Sequence, residues 1–401
     1  MRTKELRNVE EATFRANPRY QLVLLDRLPI EQREALTGSR NDPGLYGVLQ
    51  TKNSPGKVLK AICHDTALLF FSLQQSSRLP AYIRNKYGDQ CSMAVAELVL
   101  DEVLEIEHDG SFVSGAAACE ALHAEWRTRV GHDAIARLSL DALRYAQALR
   151  VDDAASMSRR LYLYNSVPLS ESWRRRFPRP ESVAEYLGIE DRNHALLRRN
   201  WSMHARLNGQ PPDRGAGGWL MWSSLRQQPA ARDGGGTYKL YISPRCEGLP
   251  EVFRATLEVL AMTSALAFKV GGNAHGLLRP DKLVAYFDSF EGLCEASSRL
   301  QRCLSGSPAH GVPFTAAITA DGLLSWGADP SQGAGARIMP SQESWRLWVT
   351  NRLAVALLAA KRTRAQGVEP WEFAVERLAL HGVNTATWVP TNSWRVLEAH
   401  G

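Results

Sequence analysis

Downstream of residue 236 the apolar pattern switches repeatedly between the period of a strand and the period of a helix. That order restricts the fold more than any other feature of the 401-residue chain. Residues 237–242 (TYKLYI) have strand composition, and residues 249–264 place apolar side chains at helical spacing. Residues 265–270 read as a short strand, Gly271-Gly272 as the start of a loop, and residues 282–287 (KLVAYF) as another strand. A helix over 290–304 and a strand over 312–318 complete the order β-α-β-β-α-β. This is the split βαβ arrangement, an antiparallel sheet with helices packed on one face. Helices over 341–363 and 370–381 follow.

The expected fold class is therefore α+β. It comprises a mainly helical N-terminal domain over residues 1–130, a helical and linker region over 131–233, and the split-sheet domain over 234–401. Helical spacing runs over 58–73 and 93–106. Asp109-Gly110, between Glu-Ile-Glu and Ser-Phe-Val-Ser, predicts a small hairpin. More helices fall between 138 and 187. There Arg174-Arg175-Arg176 reads as a solvated helix face, with a leader-peptide or partner contact as the functional alternative. Residues 208–236 are turn-rich and flank a short aromatic strand, 219–222 (WLMW). Gly234-Gly235-Gly236 reads as the entry to the last domain.

Several function classes lose support at this level. Hydrophobic residues make up 44% and charged residues 22%, ordinary for a globular core. The net charge of +6 suits an anionic ligand, but no clustered basic helix or motif points to nucleic acid. Six cysteines, Cys63, Cys91, Cys119, Cys246, Cys294 and Cys303, contain no CxxC pair, so reduced thiols are expected rather than a disulfide or zinc framework. The opening MRTKELR lacks the apolar stretch of a secretory signal. The longest apolar run, 353–360, is too short to cross a bilayer. A soluble cytoplasmic protein without membrane contact is expected. No GxxxxGK[ST], GxSxG or HExxH occurs, nor a GxGxxG after a strand, so no cofactor and no metal is implied.

What stands out is a set of cations and hydroxyls on neighbouring strands. Lys239 and Tyr241 are two apart in one strand, so they leave the same face. Lys269 lies in ALAFKVGG, where an ammonium among apolar residues needs a partner or a lowered pKa. The glycines after it are expected to let a peptide backbone approach. Arg279 heads the next strand. For any one such Lys a solvated strand edge is the ordinary reading. Elimination of phosphate from a phosphorylated side chain needs this set: a neutral Lys as base against a weakly acidic Cα–H, and Arg to grip a leaving group of nearly two negative charges. It also needs a phenol or imidazole to protonate the bridging oxygen.

The blocks TYKLYIS, AFKVGGNAHGLLRPDKLVAYF and SQESWRLWVTNRLAVAL resemble the HopA-type effector family. So do the shorter stretches RRLYLYN, LLRRNWSMHARL and GGWLMWSS. That family includes type III secretion effectors and the lyase-like proteins of class V lanthipeptide and thioamitide gene clusters. DTALLFFSLQ and LVLDEVLEIEHDGSFVSGAAA look like the biosynthetic branch. The family is similar in turn to the phosphothreonine lyase effectors. On that resemblance Lys269-Val270 matches the base, Arg279 the phosphate-binding Arg, and Lys239-Leu240-Tyr241 a Lys-x-His strand with Tyr in the place of His. The general acid is thus Tyr241, with His275 and His310 in reserve. Arg346 in SWRLW, then Arg337 and Arg352, are the candidates for further phosphate-binding arginines, and Lys239 assists at both the phosphate and the reacting centre.

The resemblance implies a phosphoserine/phosphothreonine lyase acting on a ribosomal precursor peptide, leader and core, that a separate kinase-like protein has phosphorylated. The product is dehydroalanine or dehydrobutyrine, ready to accept a Cys thiol. The N-terminal 230 or so residues would hold the leader or the kinase. A non-catalytic scaffold that binds the phosphopeptide, the kinase or a host protein is the alternative, and it has no use for a buried Lys.

Overall fold

The computed structural model describes residues 7, 9–30, 32, 45–52, 59–123, 131–204, 218–226, 237–330, 343–363 and 367–390. Six strands lie in the N-terminal part: β1 (Phe14–Ala16), β2 (Tyr20–Leu24), β3 (Leu45–Thr51), β4 (Leu59–Cys63), β5 (Leu104–His108) and β6 (Ser111–Val113). They form two three-stranded antiparallel sheets, β1-β5-β6 and β2-β3-β4. The expected hairpin is there: Asp109 and Gly110 both take positive φ, 49° and 73°, between paired His108 and Ser111.

The N-terminal part is more mixed than the expected mainly helical domain. The stretch 58–73 divides into β4 and the helix His64–Ser72. The stretch 93–106 divides into the helix Cys91–Leu100 and β5. Glu102, at φ 56°, sits where no helix can continue, and the chain leaves as a strand. Short apolar runs satisfy both periods, so pairing partners far along the chain decide.

The remaining strands are β7 (Trp201–His204), β8 (Trp219–Ser224), β9 (Tyr238–Ile242), β10 (Ala267–Gly271), β11 (Leu283–Phe287), β12 (Ala316–Ala317) and β13 (Leu324–Ala328). They build one seven-stranded antiparallel sheet in the order β12-β13-β9-β11-β10-β8-β7. Its middle, β13-β9-β11-β10, is the split β-α-β-β-α-β arrangement expected from the sequence, with the helices Leu249–Leu260 and Phe290–Cys303 as the crossovers. The first helix carries Pro250 in its opening turn and buries Val252, Phe253, Leu257 and Leu260 at helical spacing. The second is capped by Ser289, whose Oγ accepts from Gly292 N at 3.2 Å.

The fourth strand of that arrangement is not the expected 312–318. Pro313 has no ladder donor, and Phe314 stands at φ 63°, so that segment yields only the two-residue β12. β13 takes the place beside β9. The sheet also crosses the expected boundary at 233/234, because β7 and β8 precede it in sequence.

Two large hydrophobic cores result among the described residues. One lies under the seven-stranded sheet and includes Leu240, Ile242, Phe253, Phe268, Val270, Leu283 and Phe287. The other gathers the N-terminal elements together with the helices Trp345–Thr363 and Pro370–Leu380. Among the described residues no helix is long and apolar enough to cross a membrane.

Candidate functional site

Successive strand residues point to opposite faces. β9 sends Leu240 and Ile242 into the core beneath the sheet and turns Lys239 and Tyr241 the other way. Register does the rest. Lys239 pairs with Tyr286 on β11, while Tyr241 and Lys269 flank Val284 from either side. Trp219, opposite Gly271, comes from β8 to the same face. Lys239, Tyr241, Lys269, Tyr286 and Trp219 thus share one surface of the sheet, between the two cores.

Lys269 is half-buried and makes no hydrogen bond or ion pair among the described residues. Its Nζ lies 4.3 Å from the centre of the Trp219 ring and 5.7 Å from that of Tyr286. Burial pushes its pKa down to about 8; Lys239 and Arg279 push the same way, while Asp281 and Asp329 oppose. The glycines beyond it serve the protein itself. A Cβ at Gly271 would stand 2.3 Å from the Gly276 carbonyl carbon, and one at Gly272 would stand 2.9 Å from the Gly218 oxygen. Their bareness lets β10 pack against its own loops, not against a substrate as the sequence suggested.

Arg279 is fixed by a bidentate pair: Nε and Nη2 each donate to Asp281 at 2.8 Å. Burial opposes its charge, but Asp281 outweighs burial and holds the guanidinium firmly protonated. Burial alone would raise the Asp281 carboxyl; Arg279 and then Arg346 hold it far below the usual carboxylate range. The guanidinium also lies 5.2 Å from the Tyr162 ring and 5.3 Å from that of Trp219.

Arg346, the first sequence choice for a second phosphate ligand, is 1% exposed and occupied by the protein. Nη2 donates to Tyr162 O at 2.7 Å, Nε donates to Pro313 O at 3.2 Å, and Nη1 stands 2.8 Å from Asp281 Oδ2. That last contact is an ion pair without hydrogen-bond alignment. Arg346 holds Asp281, and through it Arg279, from the other core. Lys239 pairs with Asp329 at 2.5 Å. The other oxygen of Asp329 accepts from Trp345 N at 2.8 Å and so caps the helix that carries Arg346.

The remaining candidates are buried, bound by the protein or placed elsewhere. Tyr241 is 3% exposed, packed with Val284 and Val312, and burial holds its hydroxyl protonated well above the ordinary range. His275 is exposed on the short helix Ala274–Leu277. His310 is bound on both nitrogens: Lys282 Nζ donates to Nδ1 at 2.7 Å, and Nε2 donates to Asn165 O at 2.6 Å. Burial, then Lys282, pushes its pKa down to about 4, so it stays neutral as a strut. Arg352 stacks over Trp348 at 3.9 Å and lies 3.8 Å from Glu343. Arg337 lies outside the described residues.

Sequence reasoning missed Asp281, Asp329, Tyr162, Tyr286 and Trp219. Asp281 had a signal, standing two residues after Arg279 in RPDK. Tyr286 had one too, at even spacing from Lys282 in KLVAYF; Tyr162 and Trp219 come from distant elements and had none. A cleft of ≈ 320 Å³ lined by Asn200, Ser224, Arg226 and Glu295 opens at the β7–β8 edge and contains none of the cation set.

In this arrangement four cations, Lys239, Lys269, Arg279 and Arg346, face two carboxylates, Asp281 and Asp329, over an aromatic floor. No family model and no curated protein matches the chain. Two solved structures are among those with some similarity to the chain. The effector protein from Pseudomonas syringae pv. tomato strain DC3000 is 15% identical with a TM-score of 0.41, over 65% of this chain and 98% of that one. The effector protein from Pseudomonas syringae pv. syringae strain 61 is 13% identical with a TM-score of 0.38, over 63% and 96%.

Proposed function

We propose that this chain is a phosphoserine/phosphothreonine lyase that eliminates phosphate from a phosphorylated peptide. One observation carries the reading: Lys269, without a hydrogen bond or ion pair among the described residues, stands desolvated on the same face of the sheet as Lys239 and close to Arg279. The nearby carboxylates, Asp281 and Asp329, are paired with Arg279 and Lys239, so a third cation desolvated beside them adds little to packing. As a neutral amine it is a base.

In the proposed reaction Lys269 Nζ takes the Cα proton. The electron pair left behind forms the Cα=Cβ bond, the Cβ–O bond breaks, and inorganic phosphate leaves. Arg279, through the Nη1 edge that Asp281 does not take, and Lys239, through donors turned away from Asp329, bind the phosphate oxygens. The bridging oxygen takes its proton from a phenol. Tyr286 is better placed than Tyr241, because its ring lies 5.5 Å from Lys239 Nζ and 5.7 Å from Lys269 Nζ. Burial keeps that hydroxyl protonated, and both lysines, beside its ring, favour the phenolate formed. The products are phosphate and dehydroalanine or dehydrobutyrine. By the sequence resemblance the substrate is a ribosomal precursor peptide phosphorylated by a separate kinase.

The direct test is incubation with a phosphoserine or phosphothreonine peptide in excess EDTA and without ATP. Loss of phosphoric acid, read by mass spectrometry, is expected. Phosphopeptide binding with no mass change would overturn the lyase in favour of a scaffold. Tyr286→Phe is expected to lower kcat by roughly 10²–10⁴ with little change in phosphopeptide affinity, and Tyr241→Phe by much less. The reverse order would pass the proton to Tyr241.

A further inference from the structure

Among the described residues Lys269 has no hydrogen-bonding partner to orient it, yet a base must stand in one place to be useful. What surrounds its Nζ is aromatic. The Trp219 ring is the nearest, at 4.3 Å, and Tyr286 follows at 5.7 Å. The same indole lies 5.3 Å from the Arg279 guanidinium. Trp219 itself is anchored where β8 begins, opposite Gly271 and just before Leu220 and Trp222 enter the core beneath the sheet.

We propose that Trp219 is a positioning residue of this site: its indole seats both the Lys269 ammonium and the Arg279 guanidinium, fixing the distance between base and phosphate anchor and strengthening the hold of Lys269 on its proton. The proposal rests on the lyase reading for its consequence in catalysis, but not for the seat itself. The physical cause is the ring quadrupole, whose negative face attracts a cation and offers little to a neutral amine. The seat therefore favours the charged form of Lys269, against burial. The other groups facing Lys269 are Lys239 from β9, Tyr286 from β11, Arg279 and Asp281 ahead of β11, and Asp329 after β13. None of them supplies a hydrogen bond to it, and of the two rings beside it the indole is the nearer. It comes from a strand outside the split βαβ arrangement that bears the lysines.

The test separates the quadrupole from mere bulk. Fluorinated tryptophans placed at position 219 keep the ring's shape while weakening its negative face, and Trp219→Leu removes the ring. The pKa of Lys269 is read by competitive acetylation with isotopic anhydride and mass spectrometry, which needs no catalysis. It is expected to fall with each added fluorine, by roughly half to one unit across the series. The pH midpoint of elimination is expected to move down with it. Trp219→Leu is expected to weaken phosphopeptide binding several-fold as Arg279 loses its seat. A labelling pKa unchanged by fluorination would overturn the proposal. A labelling pKa that moves in a chain that eliminates nothing keeps the seat and overturns the lyase reading instead.

Discussion

Lys269→Ala is expected to abolish elimination while leaving phosphopeptide binding largely intact. A base contributes on the order of 10²–10⁴ in rate, whereas in the proposed reaction Arg279 and Lys239 grip the phosphate. Lys269→Arg should fail as completely, since a guanidinium stays protonated throughout the accessible range. The wild-type pH profile gives the same residue a second signature. With its pKa at about 8, below the ordinary value for Lys, the amine is mostly charged at neutral pH and becomes neutral as pH rises. The reactive form is the neutral one, so kcat/KM should climb with pH and level off above a midpoint near 8. A bound phosphate dianion favours the ammonium, so the midpoint in kcat should lie higher than that in kcat/KM. A flat profile from pH 6 to 9, or appreciable turnover by either variant, would remove Lys269 from the reaction.

Arg279→Ala should weaken binding of the phosphopeptide by about 1.5–3 kcal/mol, roughly tenfold to a hundredfold or more, with little effect on the unphosphorylated peptide. The substitution also takes one of two cations from Asp281, a carboxylate that is 4% exposed, so some loss of folding stability accompanies it. Arg279→Lys separates the two effects. It keeps a charge beside Asp281 but loses the paired donors, so it should fold well and still discriminate poorly. Equal loss of affinity for both peptides in both variants would make Arg279 structural and place the phosphate elsewhere.

The sequence was most informative where one physical rule acts alone. Lys239 and Tyr241 share a face because strand period leaves no other choice, and the β-α-β-β-α order up to the second crossover helix followed from period switching, though not the place of the last strand. It was least informative where partners are remote. Nothing near Arg346 shows that Pro313 and Tyr162 consume its donors, so an arginine expected to meet phosphate turned out to hold Asp281. His310 sits in an ordinary loop sequence, and only the fold brings the Lys282 ammonium to its ring. The stretch 312–318 had strand composition, yet Pro313 and a left-handed Phe314 divert it. Trp219 was legible as strand but not as part of the site, since its neighbours Lys269 and Arg279 come from beyond the turn-rich segment.

β8 lies upstream of that turn-rich segment, Tyr162 lies further upstream still, and the helix bearing Arg346 packs with the N-terminal elements. A gene exchange that moved only the stretch from residue 234 onward would carry both lysines and Arg279 into a new host, but without the indole between them or the tyrosine above them. The site as built therefore draws on residues from Tyr162 to Arg346, and no segment that begins at residue 234 carries it whole.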